Sequence, residues 1–124
     1  MSPSYTNLLF KSGAIFNVLA GLPFLIAPQT MAALAGLELN ATAAMLMQII
    51  FALVVIFGWV YWMIAVDPVR YRPYIVLGII LKVLFVVVVC AHWLAGNIPG
   101  QLPALACGDI VYALLFWIYY QRTA

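Results

Sequence analysis

The apolar run from Tyr74 to Leu94 constrains this chain more than any other part of its sequence. It reads YIVLGIILKVLFVVVVCAHWL, and nearly every side chain is apolar although Lys82 lies near its middle. An apolar run of about 20 residues matches the thickness of the hydrocarbon core and predicts a membrane-spanning helix. A lysine near the middle of such a helix needs a partner, a wet cavity or a route to the interface. What satisfies the ammonium group of Lys82 is therefore the central question.

The composition extends the membrane prediction to the whole chain. Of the 124 residues, 69% are hydrophobic and only 6% are charged, whereas a soluble domain carries roughly 25% charged residues. So few charges cannot cover a core with polar surface, and we expect an integral membrane protein. The net charge of +2 and the lack of a basic run give no reason to expect nucleic acid as a partner.

The apolar runs predict an all-α fold, a four-helix transmembrane bundle that forms one domain over residues 1–124. The spans are expected at about 8–26, 41–66, 74–94 and 102–120. Residues 28–39 are too few to cross the membrane and are expected to lie as a short amphipathic segment at the interface. Asn40 is expected to cap the second span, because its side chain can accept a bond from the first helical turn.

A signal peptide is the alternative interpretation of the first apolar run. A signal has basic residues before its apolar core, whereas the early basic residue Lys11 lies inside the run. We therefore expect a retained span. Gly13, Asn17 and Gly21 recur every four residues on one helix face, which would let a neighbouring helix approach closely. Pro23 is expected to kink or end this helix.

The basic residues predict the orientation. With four spans, both termini and the turn between the second and third spans lie on one side of the membrane. The five basic residues all fall on or towards that side: Lys11, Arg70, Arg72, Lys82 and Arg122. The positive-inside rule then places both termini in the cytoplasm. Within the turn, we expect Asp67 to pair with Arg70 or Arg72.

Each span contributes one strongly polar side chain near the middle of the membrane. At ~1.5 Å of rise per residue, Lys82 and Asp109 fall at similar depths on consecutive antiparallel spans. Asn17 falls near the depth of Lys82, and Gln48 near that of Asp109. Tyr112 follows Asp109 by one turn. Because intramembrane ionisable residues are often functional, we take these five as candidate ligand-binding residues, the alternative being a structural ion pair with amide helpers.

Cys90 and Cys107 lie near the outer ends of the last two spans, which leaves either a disulfide or small apolar packing. Cys90 and His92 point about 200° apart on a helix and cannot easily share one ion. No phosphate-binding loop, metalloprotease motif or Ser–His–Asp set occurs in the sequence. We therefore expect no catalytic residue, no metal and no cofactor.

Short motifs along almost the whole chain carry a family resemblance. They are Asn17 with Gly21-Leu22-Pro23 and Ala27-Pro28, Arg70-Tyr71-Arg72-Pro73, Gly78 with Lys82, Gly108-Asp109, and Leu114-Leu115-Phe116. Their layout resembles that of small uncharacterised bacterial four-helix proteins in the wider DoxX-like group, which is associated with quinone-linked sulfur oxidation in some settings. No catalytic residue of that activity maps onto this sequence. The resemblance implies a multi-pass protein of a bacterial inner membrane.

A more distant similarity is to the emopamil-binding and sigma-2 receptor proteins. These are helical bundles that hold sterol-like ligands in a pocket with acidic residues. The similarity implies a ligand pocket within the bundle, and Asp109 is the acid inside a predicted span of this sequence.

Three functions are compatible with these patterns. The small size and the lack of catalytic motifs favour a non-enzymatic accessory or structural subunit of a larger membrane complex. The first alternative is a lipid- or quinone-binding protein that uses Lys82 and Asp109 in a midplane pocket, and the second is a small oligomeric transporter. The expected partners are the lipid bilayer and either other membrane-protein subunits or further copies of the chain.

Overall fold

Four long helices and one short helix make up the structure, a computed structural model that describes residues 2–123. In chain order they are α1 (Pro3–Ile26), α2 (Pro28–Leu34), α3 (Ala41–Val66), α4 (Arg72–Leu94) and α5 (Gln101–Arg122). All of them except α2 are long and apolar enough to cross a membrane. The predicted all-α bundle is confirmed, and residues 2–123 contain no strand.

The largest difference from the predicted boundaries is at the start of α1. This helix begins at Pro3 rather than near residue 8. Ser2 caps it, since its side-chain oxygen accepts a bond from the Tyr5 N–H at 3.2 Å, and a proline suits the first helical turn. At its other end α1 continues past Pro23 to Ile26, so the proline does not end the helix.

The cap predicted for α3 is confirmed. Asn40 has an extended backbone, and its Oδ1 accepts a hydrogen bond from the Ala43 N–H at 2.8 Å. Two other helices end on a left-handed glycine, Gly36 (φ 73°) after α2 and Gly96 (φ 79°) after α4. The N–H groups of each glycine and of the next residue bond to carbonyls of the last helical turn, which is the Schellman arrangement.

The long helices pack as two pairs. Helix α1 lies along α3 and α4 lies along α5, while contacts between the pairs are sparser. Two glycines bring the first pair together: a Cβ added at Gly21 would lie 3.1 Å from the Phe51 carbonyl oxygen, and one at Gly58 would lie 3.1 Å from that of Ala14. Backbones this close are typical of small residues at membrane-helix interfaces.

Two apolar clusters fill the bundle. The larger lies at the end where the chain starts and finishes, and there the rings of Phe10 and Phe116 stack with centroids 4.8 Å apart. The Thr6 hydroxyl donates to the Tyr119 hydroxyl at 3.2 Å, so α1 and α5 have their terminal ends side by side. The smaller cluster is formed at the opposite end around Phe24, with Ala35 and Phe51. The polar residues of the spans lie between these clusters.

The charged turn between α3 and α4 does not form the predicted ion pair. Asp67 Oδ1 instead accepts a hydrogen bond from the backbone N–H of Arg70 at 3.2 Å. Arg72 extends to α5, where its guanidinium donates to Thr123 Oγ1 at 2.7 Å and to the Tyr120 carbonyl at 2.9 Å. The prediction is wrong because carbonyls in the last turn of a helix lack helical donors and attract a cation.

Candidate functional site

An ion pair neutralises the charge of Lys82 inside the bundle, and an amide oxygen accepts a second hydrogen bond from it. Its Nζ donates to Asp109 Oδ1 at 2.7 Å and to Asn17 Oδ1 at 3.0 Å. The Lys82 side chain is 2% exposed and that of Asp109 is 16% exposed. The structure therefore brings together three of the five candidate residues, contributed by α1, α4 and α5.

Three aromatic rings complete the surroundings of the Lys82 ammonium. Its Nζ lies 5.3 Å from the ring centroids of Phe16 and Tyr61 and 5.6 Å from that of Tyr112. Rings within about 6 Å of a cation attract it through their negative faces. Tyr112, the fourth candidate residue, thus lies beside Lys82, whereas the sequence did not indicate Phe16 and Tyr61. With Tyr61, every long helix contributes to the site.

Glycines make room for two of these rings. A Cβ added at Gly78 would lie 2.6 Å from Tyr61 Cε1, and one added at Gly108 would lie 2.6 Å from Phe16 Cζ. Both glycines could have indicated these rings, because Gly78 lies one turn before the buried Lys82 and Gly108 directly precedes the partly buried Asp109. A missing side chain beside a buried charge leaves space that a large neighbour can fill.

Asn17 is held by α3 as well as by Lys82. Its Nδ2 donates to the Val54 carbonyl at 3.0 Å, which leaves Oδ1 to face the ammonium. Both ends of the amide are therefore engaged, and its orientation follows from its partners. The side chain links α1 to α3 and α4 at one level of the bundle.

Gln48 does not belong to the cluster, and its predicted place there is wrong. Its Nε2 donates to the Leu25 carbonyl at 2.9 Å, in the last turn of α1, where carbonyls lack helical donors. Val54, which α3 presents at the level of Asn17, lies six residues further along the chain than Gln48. That separation is about 9 Å along a helix axis, too far for the Gln48 amide to join the cluster.

A cavity of about 200 Å³, here called the Lys82 cavity, lies between the two helix pairs. One wall carries Asn17, Lys82 and Asp109, and the remaining walls are apolar side chains from all four long helices. Its most exposed lining residues are Ile50 and Leu53 of α3, at 49% and 48%. The cavity therefore opens sideways, along α3, onto the apolar outer surface of the bundle.

The remaining sequence candidates lie outside this site. Cys90 and Cys107 are free thiols, the first partly buried and the second exposed, so the disulfide alternative is excluded in this structure. His92 Nδ1 lies 2.9 Å from Asn97 Nδ2 at the end of α4. Across residues 2–123, no group of three or more His, Cys, Asp or Glu side chains is placed to hold a metal ion.

Comparison with known proteins gives no relative from which a role could be transferred. No protein-family model matches the chain, and neither a curated protein nor a solved structure matches it. The DoxX-like resemblance and the more distant one to sterol-binding bundles stay predictions. The residues around Lys82 are the strongest candidate site in this small membrane protein.

Proposed function

We propose that this protein binds the polar end of a membrane-soluble amphiphile, a lipid or a quinone, in the Lys82 cavity. The observation that carries the proposal is a cavity within the bundle that has one polar wall, apolar walls elsewhere and a mouth on the apolar surface. Ligand sites combine apolar lining with a few placed polar groups in this way. An amphiphile would direct its head to Asp109 and Lys82 and its tail through the mouth.

The size of the cavity limits how much of such a molecule it encloses. Its 200 Å³ is below the roughly 300–1,000 Å³ of pockets that surround a drug-sized ligand. The head group and the first tail atoms would fill it, and the rest of the tail would lie against α3 among the bilayer lipids. The ligand would thus enter from the membrane rather than from water.

Filling the cavity tests this proposal. Ala20 is partly buried and lines the cavity, so Ala20→Leu should displace the head group. Ala91→Leu, on an exposed position of α4, is the matched control. Native mass spectrometry after gentle extraction should find a bound lipid or quinone on the wild type and on A91L, and should find it lost from A20L. Equal retention by both variants, or an empty wild type, would contradict the proposal.

A second function, an accessory subunit of a larger membrane complex, is supported by the outer face of α1 and α3. A groove of about 540 Å³ runs there over the small residues Ala14 and Gly58. Its walls are apolar and include Trp59, which is 70% exposed. A helix of another subunit could lie in this groove with close backbone contact. The third expected function, a small oligomeric transporter, stays a prediction.

The groove can be blocked without touching the Lys82 cavity. Leu19 lines the groove and is 70% exposed, so Leu19→Trp should fill it and leave the bundle intact. Leu84→Trp, at an exposed position of α4, is the control. A stoichiometric partner protein that co-purifies with the wild type and L84W, but not with L19W, would support the subunit role. Its retention by L19W would contradict it.

We propose further that both termini face the cytoplasm of a bacterial inner membrane. The terminal end of the bundle carries the cations of Arg72, which contacts Tyr120 and Thr123, and of Arg122. The opposite connection, residues 95–100, contains no charged residue. This asymmetry supports the orientation that the positive-inside rule gives.

A further inference from the structure

The carboxylate of Asp109 has a second oxygen that the bundle does not use. Lys82 Nζ bonds to Oδ1, and no donor within residues 2–123 bonds to Oδ2. No buried side-chain nitrogen or oxygen in this part of the chain lacks a partner, so Oδ2 lies at an accessible surface. Since Asp109 lines the Lys82 cavity and is the more exposed member of the pair, we infer that Oδ2 faces the cavity.

The donors near this oxygen are largely engaged. The Lys82 ammonium has three N–H groups, of which one bonds to Asp109 and one to Asn17, while aromatic rings surround the group. One N–H of the Asn17 amide is bound to the Val54 carbonyl. Among the side-chain polar atoms of Asn17, Lys82 and Asp109, the acceptor Oδ2 is therefore the one without a hydrogen-bond partner within residues 2–123.

Charge narrows the class of occupant further. Lys82 and Asp109 together are neutral. A cationic head would leave one unpaired positive charge in a low-dielectric site and an anionic head one negative charge, and an uncompensated buried charge is strongly unfavourable. A neutral donor satisfies the free oxygen without adding charge, and a hydrogen bond to an ionised carboxylate is stronger than one between neutral groups.

We propose that the occupant carries a neutral hydroxyl group that donates a hydrogen bond to Asp109 Oδ2. This inference rests on the proposed binding function and names its ligand class: an apolar tail that ends in an alcohol or phenol. Two membrane sources share this chemistry, a quinol and a lipid with a free hydroxyl. A quinone, whose oxygens only accept hydrogen bonds, and a lipid without a donor group leave the acceptor unpaired.

Matched probe pairs test the inference. The first pair is 1-dodecanol and its methyl ether, which differ in the O–H donor. The second pair is decylubiquinol, kept reduced, and decylubiquinone, and the third is a diacylglycerol and its methyl ether. In nanodiscs the hydroxyl form should bind about tenfold or more tightly than its partner, the factor expected for one hydrogen bond to a charged group. A preference in the quinol or the diacylglycerol pair also identifies the source.

A double variant tests whether Asp109 is the residue that recognises the hydroxyl group. Lys82→Met combined with Asp109→Leu removes both charges at similar volume, a replacement that buried ion pairs often tolerate. Its cavity should still take dodecanol and the ether but without preference between them. If K82M/D109L kept the preference of the wild type, or if the wild type bound both members of every pair equally, the inference would be overturned.

The two proposals fail in different ways. If the wild type bound no probe, and A20L behaved like A91L, the binding function itself would be wrong. If the wild type bound alcohol and ether with equal affinity, and A20L lost both while A91L kept them, the cavity would still be a binding site. Only the hydroxyl class would then be excluded.

Discussion

The ammonium of Lys82 exchanges its water shell for groups from all four long helices. Asp109 supplies the opposite charge, Asn17 an amide oxygen, and three aromatic rings the rest of the contact surface. In a low-dielectric interior a charge is tolerated when its partners are close and hydrogen-bonded. The position of this one atom therefore depends on the packing of the whole bundle.

Removing one member of the ion pair should harm the protein more than removing both. Asp109→Leu leaves the Lys82 ammonium buried without its counter-charge, and we expect a loss of about 3–5 kcal/mol in the free energy of unfolding. The double variant K82M/D109L leaves no lone charge and should lose much less. Reversible unfolding by a denaturing detergent in mixed micelles measures both. A double variant as unstable as D109L would remove the support for the pair.

Gly78 should not tolerate even a methyl group. In Gly78→Ala the new Cβ would meet Tyr61 Cε1 at 2.6 Å, and the Tyr61 ring is fully buried, so it cannot move aside freely. Overpacking of this kind destabilises by about 1–3 kcal/mol. Gly100→Ala is the control, since a Cβ there meets nothing within 4 Å. Thermal unfolding should separate the two variants, and equal melting temperatures would refute the close contact.

The sequence predicted part of this site because depth along a helix can be counted. Counting residues placed Lys82, Asp109 and Asn17 at one level, and they do touch. It misplaced Gln48, which bonds to the end of α1 instead, because α3 reaches the level of the cluster only near Val54, about 9 Å further along the helix. Tyr61 was missed because an aromatic side chain in an apolar run looks like core or interfacial packing.

At the scale of helices, the sequence predicted a helix start correctly where a capping residue or a proline was recognised as a boundary signal. Asn40 starts α3 as predicted, and α4 begins beside Pro73. The start of α1 was placed too late because Ser2 followed by Pro3 is itself a cap signal. The partner of Arg72 could not be read from its own turn, since the free carbonyls that it binds belong to α5.

Arg72 should stabilise the last turn of α5. Arg72→Gln removes the bonds to the Tyr120 carbonyl and Thr123 and the ring contact at 4.0 Å, a loss of about 1–3 kcal/mol for charged hydrogen bonds that are partly buried. Amides in the last turn of α5 should then exchange hydrogen faster. The control is Arg70→Gln. Within residues 2–123 the Arg70 guanidinium makes no hydrogen bond or ion pair and lies over the ring of its neighbour Tyr71, so the α5 amides should exchange as in the wild type. Equal exchange in both variants would exclude the proposed stabilisation.

At the scale of the molecule, the helix count was predictable and the pairing was not. Apolar length defines each span. In lipid, however, close approach of small residues decides which helices associate. Gly21 and Gly58 bring α1 against α3 although α2 and its flanking residues separate them in the chain. Helices α3 and α4 make sparser contacts although only a short turn joins them, and the Lys82 cavity lies between the two helix pairs.

The orientation of the molecule gives the last prediction. Because the basic residues cluster at the terminal end, fluorescent protein fused to either terminus should fluoresce, and alkaline phosphatase fused there should be inactive. When the same reporters are fused to a chain truncated at Asn97, after α4, the phosphatase should be active and the fluorescent protein dark. The reason is that the connection from α4 to α5 lies on the opposite side of the membrane. If alkaline phosphatase were active at both termini and inactive at Asn97, the protein would have the opposite orientation in the membrane. The Lys82 cavity would remain, since it opens towards lipid in either orientation.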